Sequence, residues 1–278
     1  MKAEWFNPGG SVKDRPVFSI IKEGERKGFL KGGKTILDAT SGNAGISYSL
    51  IGAVSGYPVE LCIPSNASVE RRKVLNALGA RLIFTNPLEG SDGAIQKARE
   101  LYRANPKKYF YGNQYDNEEN WKAHYLTTAP EIIEQTDGKI THFVTGVGTS
   151  GTLIGVGKRL RKFNSGIQMI EVQPSTPLHG LEGLKHMDSS IRPRIYDPNF
   201  ADQKIEVDTE EAQEMVIKLA SMEGLLVGTS GGANLVAALR VAKKLKEGII
   251  VTILPDGAER YFSETYWKKH LENNLRKT

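Results

Sequence analysis

Short, mostly apolar runs alternate with helical patterns along most of the chain, and this alternation constrains the fold more than any other feature. Runs at 35–39, 59–63, 81–84, 141–145, 167–172 and 249–254 read as strands, with shorter ones at 109–111 and 205–207. Between them the apolar spacing turns helical, over 15–27, 43–55, 68–78, 91–104, 128–135 and 151–163, from 208, to 246 and again in the tail. Mostly apolar strands are buried on both sides, which happens where helices cover both faces of a parallel sheet. The expected fold is therefore α/β, with mostly parallel sheets in three-layer α/β/α units. A polar stretch at 116–120 interrupts the pattern, so two units are expected, 1–117 and 118–278. Residues 174–203 are irregular and too long for an idle connection.

In such folds ligands bind beyond the carboxyl ends of the strands. Four glycine turns, at 9–10, 42–45, 146–151 and 228–232, fall where such a site would form. Asn7-Pro8-Gly9-Gly10 is strong turn chemistry, and it delivers Lys13 to the start of a helix. The positive end of the helix dipole lowers the amine's pKa, as a Schiff-base lysine needs; a solvated lysine is the ordinary alternative. Residues 146–152 read G-x-G-x-x-G, with Glu171 at the end of the next strand, which completes a dinucleotide fingerprint. Yet Thr149, Ser150 and Thr152 add three hydroxyls that suit the end of a single phosphate. On this motif alone both readings stand, beside a purely structural turn. Thr40-Ser41-Gly42-Asn43 can hold an anion such as a substrate carboxylate, or simply cap a helix. Ser230 in the last turn can pair with a ring nitrogen, or cap.

Composition removes other classes. Basic residues exceed acidic ones only by 37 to 32, and no aromatic-interleaved basic stripe is present, so nucleic acid is not an expected partner. The basic tail, Lys268 to Lys277, reads as a solvated helix end. No apolar window is long enough to span a membrane, and the start lacks a signal-peptide pattern. The single cysteine, Cys62, sits in an apolar run and reads as a buried structural thiol. A cytoplasmic, reducing setting is expected. His124, His142, His179, His186 and His270 have no metal-ligand spacing, so no metal is expected.

Taken together, the turns resemble the cysteine synthase and cystathionine β-synthase family of pyridoxal 5'-phosphate (PLP) enzymes, fold type II. The pattern N-P-x-G-S-x-K-D-R is met by residues 7–15, T-S-G-N-x-G by 40–45, G-x-G-T-x-G-T by 146–152 and G-x-S-x-G-A by 228–233. Pro64 with Glu70-Arg71-Arg72, and residues 255–261, also fit, in the family's order, from about residue 2 to about 265. This favours the phosphate over the dinucleotide. The resemblance implies PLP in the cleft between the two units, with Lys13 as the cofactor lysine and acid/base at the substrate α-carbon. It implies Asn43 at the ring oxygen, Gly148, Thr149, Ser150, Gly151 and Thr152 around the phosphate, and Ser230 at the ring nitrogen. Thr40, Ser41, Asn43 and Gln114 would bind the substrate carboxylate. The implied reaction replaces the β-substituent of an O-activated L-serine by a sulfur nucleophile, giving L-cysteine in a homodimer, with a sulfur-carrier protein as one possible donor. Residues 181–198 resemble the O-phosphoserine-using branch, with Lys185 as the cation for the leaving phosphate and His186 and Lys204 in reserve. O-acetylserine stays open as the donor.

Two departures are minor: Gly9 and Ser150 stand where Thr and Gly are commoner. A third is larger. Family members carry a further N-terminal segment with strands that cross to the other sheet, so an edge is expected here for such a segment or a partner chain to cover. The alternatives are cystathionine β-synthase-like chemistry on serine and a thiol, an NAD-binding oxidoreductase, and an inactive dimeric scaffold.

Overall fold

The computed structural model describes residues 1–40 and 42–275. Ser41 and the tail residues Arg276, Lys277 and Thr278 lie outside the described residues. Among the described residues nine strands form two wholly parallel sheets. The first contains β2 (Thr35–Ala39), β3 (Val59–Pro64), β4 (Arg81–Thr85) and β5 (Tyr109–Tyr111) in the order β4-β3-β2-β5. The second contains β1 (Lys2–Ala3), β6 (His142–Gly146), β7 (Gln168–Pro174), β8 (Gln203–Val207) and β9 (Ile250–Leu254) in the order β1-β9-β6-β7-β8. β2 and β3 are buried at every position, as their mostly apolar sequences suggest, with Thr35, Asp38 and Glu60 the polar exceptions.

Among the described residues ten α-helices accompany the strands: α1 (Asp14–Arg26), α2 (Asn43–Ser55), α3 (Val69–Ala77), α4 (Gly90–Ala104), α5 (Glu119–Leu126), α6 (Thr128–Gln135), α7 (Gly151–Phe163), α8 (Thr209–Glu223), α9 (Thr229–Ala242) and α10 (Thr265–Leu275). One face of the first sheet is sealed by Val17, Ile20 and Ile21 of α1 packed with Ile36, Leu61 and Ile63. In the second sheet, Phe143 and Met169 pack against Leu153, Val156 and Leu160 of α7. Truncating Phe143 to alanine would cost about 3–5 kcal/mol. Cys62 is buried, and burial pushes its thiol up to about 12, so it is not a nucleophile. No helix among the described residues is long and apolar enough to cross a membrane.

Three features differ from the sequence reading. First, the polar stretch at 116–120 opens a helix, α5, whose acidic start at Glu118 and Glu119 suits the helix dipole. Its weak apolar periodicity hid it. Second, no strand is expected ahead of Lys13, yet Lys2–Ala3 form β1, followed by a single 3₁₀ turn, Glu4–Phe6. Lys2 and Ala3 pair with Ile253 and Leu254, so the chain starts in the second sheet before it builds the first. Third, α9 is preceded by α8 and an isolated bridge, Val227 to Gly257, not by a strand. Residues 175–202 contain no helix or strand, and they wall the site described next.

Candidate active site

A cavity of ≈ 580 Å³ opens where the starts of α1, α2, α7 and α9 meet. Lys13, Thr40, Asn43, Gln114, residues 148–152, Lys185 and Ser230 all line it. The residues nominated for the lysine, carboxylate, phosphate and ring-nitrogen roles are thus brought to one place, as far as they are described.

Lys13 occupies the N-cap of α1. Its turn is held from three sides. Gly10 adopts φ +72°, which a side chain would resist. Asp14 accepts from the Gly9 N–H (2.6 Å) and from Ser47 Oγ (2.5 Å). Arg15 is bound by two carboxylates, Glu4 on the 3₁₀ turn and Glu131 on α6, each through two nitrogens at 2.7–2.9 Å. The Lys13 ammonium has no hydrogen bond or ion pair among the described residues, and burial lowers its pKa, with Asp256 opposing.

Across the cavity, residues 146–151 lead into α7. A Cβ on Gly148 would stand 2.1 Å from the Gly183 carbonyl, so only glycine fits beneath that loop. Ser150 takes φ +66°, a conformation costing a non-glycine residue about 1–2 kcal/mol, and its buried Oγ has no partner among the described residues. An orphaned hydroxyl held in strained backbone at a helix start marks an anion cradle.

The carboxylate side is built on α2. Thr40 Oγ1 accepts from the N–H of Gly42 (3.0 Å) and of Gly45 (3.1 Å), so its own proton is left to donate. Gln114 is buried and donates to the Ala39 carbonyl at 2.7 Å, which ties it to the end of β2. Asn43 accepts from Arg260 (2.5 Å) and donates one N–H to Asp256 (2.6 Å), leaving its second N–H available. Asp256 also accepts from Tyr261 Oη (2.5 Å), while its Oδ1 is buried and unpaired among the described residues. Ser230 lies in the first turn of α9, buried on the cavity wall.

Lys185 is buried on the opposite wall, ion-paired with Asp92 at 2.5 Å and lying over the Tyr115 ring. Its proposed reserves do not reach the cavity: His186 pairs with Ser189, and Lys204 with Tyr196. Glu171 does not reach it either. It is buried in β7 and accepts from Tyr196 Oη (2.9 Å) and Gln173 (3.1 Å), so it cannot serve as the ribose acid of a dinucleotide site.

Sequence reasoning gave no site role to Asp38, Asn120 or His124, nor to Asp256 and Arg260, which entered only as part of the matching stretch 255–261. Asn120 and His124 were hidden with α5; their i, i+4 spacing behind Gln114 was the available signal. Asp38, Asp256 and Arg260 reach the site only through packing between distant segments. Burial pushes the Asp38 carboxyl up to about 7, with the Tyr48 hydroxyl and the N–H groups of Ala39 and Gln114 partly opposing.

The family comparison decides what this cradle serves. Residues 1–256 match the model of the family described as pyridoxal-phosphate dependent enzyme. The chain belongs to that family. It is 51% identical over 266 residues to the cysteine synthase of Aquifex aeolicus, covering 94% of this chain and 81% of that one. The crystal structure of a cysteine synthase from Entamoeba histolytica superposes with a TM-score of 0.89 at 40% identity, over 96% of this chain and 81% of the other. An O-acetylserine dependent cystathionine β-synthase from Helicobacter pylori gives 0.89 at 36% identity, over 95% and 88%. PLP is therefore the cofactor, and the dinucleotide alternative is overturned. The residues present fit that cofactor: an unpartnered hydroxyl at the start of α7 and an amine of lowered pKa line the same cavity.

Proposed function

We propose that this chain is a cysteine synthase that replaces the β-substituent of an O-activated L-serine by a sulfur nucleophile. The observation that carries the reading is the meeting of an unpaired lysine, a donor cradle and a second donor cluster in one cavity. PLP, when bound, supplies an electron sink at the substrate's α-carbon, which lets the α-proton and then the β-substituent leave. Lys13 holds the cofactor and then takes and returns the α-proton, a role suited to an amine whose burial favours the neutral form. Residues 148–152 hold the phosphate. Thr40, Ser41 and Gln114 receive the carboxylate, with the Thr40 proton already directed outward by two N–H donors. The spare N–H of Asn43 serves the ring oxygen. Ser230 meets the ring nitrogen as a neutral partner, which keeps the ring a moderate sink and suits expulsion of a good leaving group.

The sequence-derived role of Lys185 is harder to sustain. Asp92 already neutralises its charge, so a departing phosphate would have to displace that carboxylate. A neutral acyl ester requires no such displacement, and the ion pair favours it. The same reading places the division between units near 117 and the enzyme in the cytoplasm as a homodimer. The sulfur donor is then sulfide, thiosulfate or the thiocarboxylate of a carrier protein.

The test is direct. The purified protein should show a visible cofactor band that disappears in Lys13→Ala, and should form cysteine from sulfide and O-acetylserine faster than from O-phosphoserine or serine. A colourless protein, or one that makes no cysteine from any donor, would overturn the proposal.

A further inference from the structure

Helix α5 supplies no residue to the cavity wall, yet two of its side chains touch the cradle from behind. Asn120 and His124 are one turn apart and both buried. They lie against Gly151 and Gly155 of α7: a Cβ at Gly151 would stand 1.8 Å from Asn120 Oδ1, and one at Gly155 2.1 Å from the Trp121 carbonyl. The glycines thus let α5 approach α7 closely enough for short side chains to reach the cradle's threonines.

What these side chains do follows from donor and acceptor counting. The Asn120 amide faces the Gln114 carbonyl at 2.7 Å, and a carbonyl only accepts, so the facing atom is Nδ2. The same Nδ2 faces Thr149 Oγ1 at 3.0 Å, and Gly151 N–H reaches that oxygen at 3.3 Å. Both lone pairs of the Thr149 hydroxyl are therefore taken, and its proton is free to point into the cavity. His124 repeats the arrangement. Burial, with Lys13 and Arg15 nearby, pushes the His124 ring down to about 3, so it is neutral and carries one N–H. Its Nδ1 lies 2.9 Å from Thr128 Oγ1, whose buried proton has no other partner among the described residues. Thr128 donates to Nδ1, which leaves the N–H on Nε2, facing Thr152 Oγ1 at 3.4 Å. Thr152 accepts, and its proton too is left for the cavity.

We propose that Asn120 and His124 are positioning residues that force the Thr149 and Thr152 hydroxyls to donate, so the cradle offers only donors to a fully ionised phosphate. The inference rests on the cofactor-phosphate role given to residues 148–152 above. Without Asn120 and His124 each hydroxyl could turn its proton to a protein acceptor and present a lone pair to the phosphate.

The experiment follows cofactor retention by the holoenzyme on dilution, together with the ³¹P resonance of the bound phosphate. Asn120→Ala, Thr149→Val and the double variant form a cycle. Each single change should weaken retention roughly tenfold, the loss of one hydrogen bond to a charged group. The double variant should be no worse than Thr149→Val alone, with the same displaced resonance. Multiplying losses would mean that Asn120 acts independently of Thr149 and would overturn the proposal. For His124, the Leu variant should lose retention about tenfold, while His124→Gln, which can place an N–H near Nε2, should stay within about threefold of wild type. Equal behaviour of the two variants would also overturn it. If Asn120→Ala does not fold, the His124 pair decides alone. A wild-type holoenzyme without a bound phosphorus resonance would instead defeat the underlying role of the cradle.

Discussion

Asp38→Asn should change the pH dependence of stability, and the size of the change can be worked from the structure. Asp38 is fully buried at the end of β2, where its carboxyl accepts from Ala39 N–H at 2.8 Å and Gln114 N–H at 3.3 Å. No cation is paired with it among the described residues, and burial raises its pKa from 3.8 to about 7. A group whose folded pKa lies above its unfolded value stabilises the fold at acid pH. That contribution is lost as pH rises through the folded pKa. Each pH unit between the two values is worth about 1.4 kcal/mol, so the whole window amounts to about 4 kcal/mol. Between pH 5 and pH 8 the loss is about 2–3 kcal/mol. Asparagine does not ionise and escapes it. It forfeits one weak hydrogen bond, about 1 kcal/mol, at every pH. Urea unfolding of wild type and Asp38→Asn at both pH values should therefore show the difference moving by about 2–3 kcal/mol in favour of the variant at the higher pH. A difference that is the same at both would refute the reasoning, because it would mean that Asp38 is ionised throughout and fully satisfied by its donors.

Four further outcomes are expected. Lys13→Met should stabilise the cofactor-free protein by about 1 kcal/mol at neutral pH, with the gain fading toward pH 10 as the unfolded lysine also loses its charge; thermal melts across pH would check this. Ser150→Ala keeps the strained backbone but removes the orphaned hydroxyl, so fluorescence titration should show cofactor affinity falling roughly tenfold with little change in melting temperature. Asp92→Asn frees Lys185, and kcat/KM for O-phosphoserine should rise relative to O-acetylserine; an unchanged ratio would remove Lys185 from donor selection. Arg15→Met strands the buried Glu4 without its cation and should cost about 3–5 kcal/mol in chemical denaturation.

Much of this architecture was legible because strand burial and helix periodicity write themselves into local sequence. β2 and β3 are apolar at nearly every position, and the cradle residues 146–152 announce both their turn and their donors. Segments whose structure depends on distant contacts were not legible. α5 has almost no apolar stripe, since its inward face is Asn120 and His124, polar residues satisfied by threonines on other elements. Lys185 looked like a free cation because nothing nearby in sequence reveals Asp92, which approaches it from the start of α4. Glu171 looked like a ribose acid until its partner Tyr196 turned up within the irregular segment. In each case spacing conveyed the residue type and place, while the partner that sets its chemistry came from another part of the chain.

The ties around Lys13 also bear on how the enzyme is made. Lys2 and Ala3 pair with Ile253 and Leu254, Val12 N–H donates to the Pro255 carbonyl at 2.8 Å, Ser11 bridges Asp256, and Arg260 grips the Gly9 carbonyl. Contacts of such sequence separation carry the largest loop-closure entropy in the molecule and form late. During synthesis the first sheet can assemble while the segment bearing the lysine waits for residues 253–261 to leave the ribosome. With the role proposed for Lys13, a nascent chain has no finished place for an aldehyde cofactor until the last strand docks.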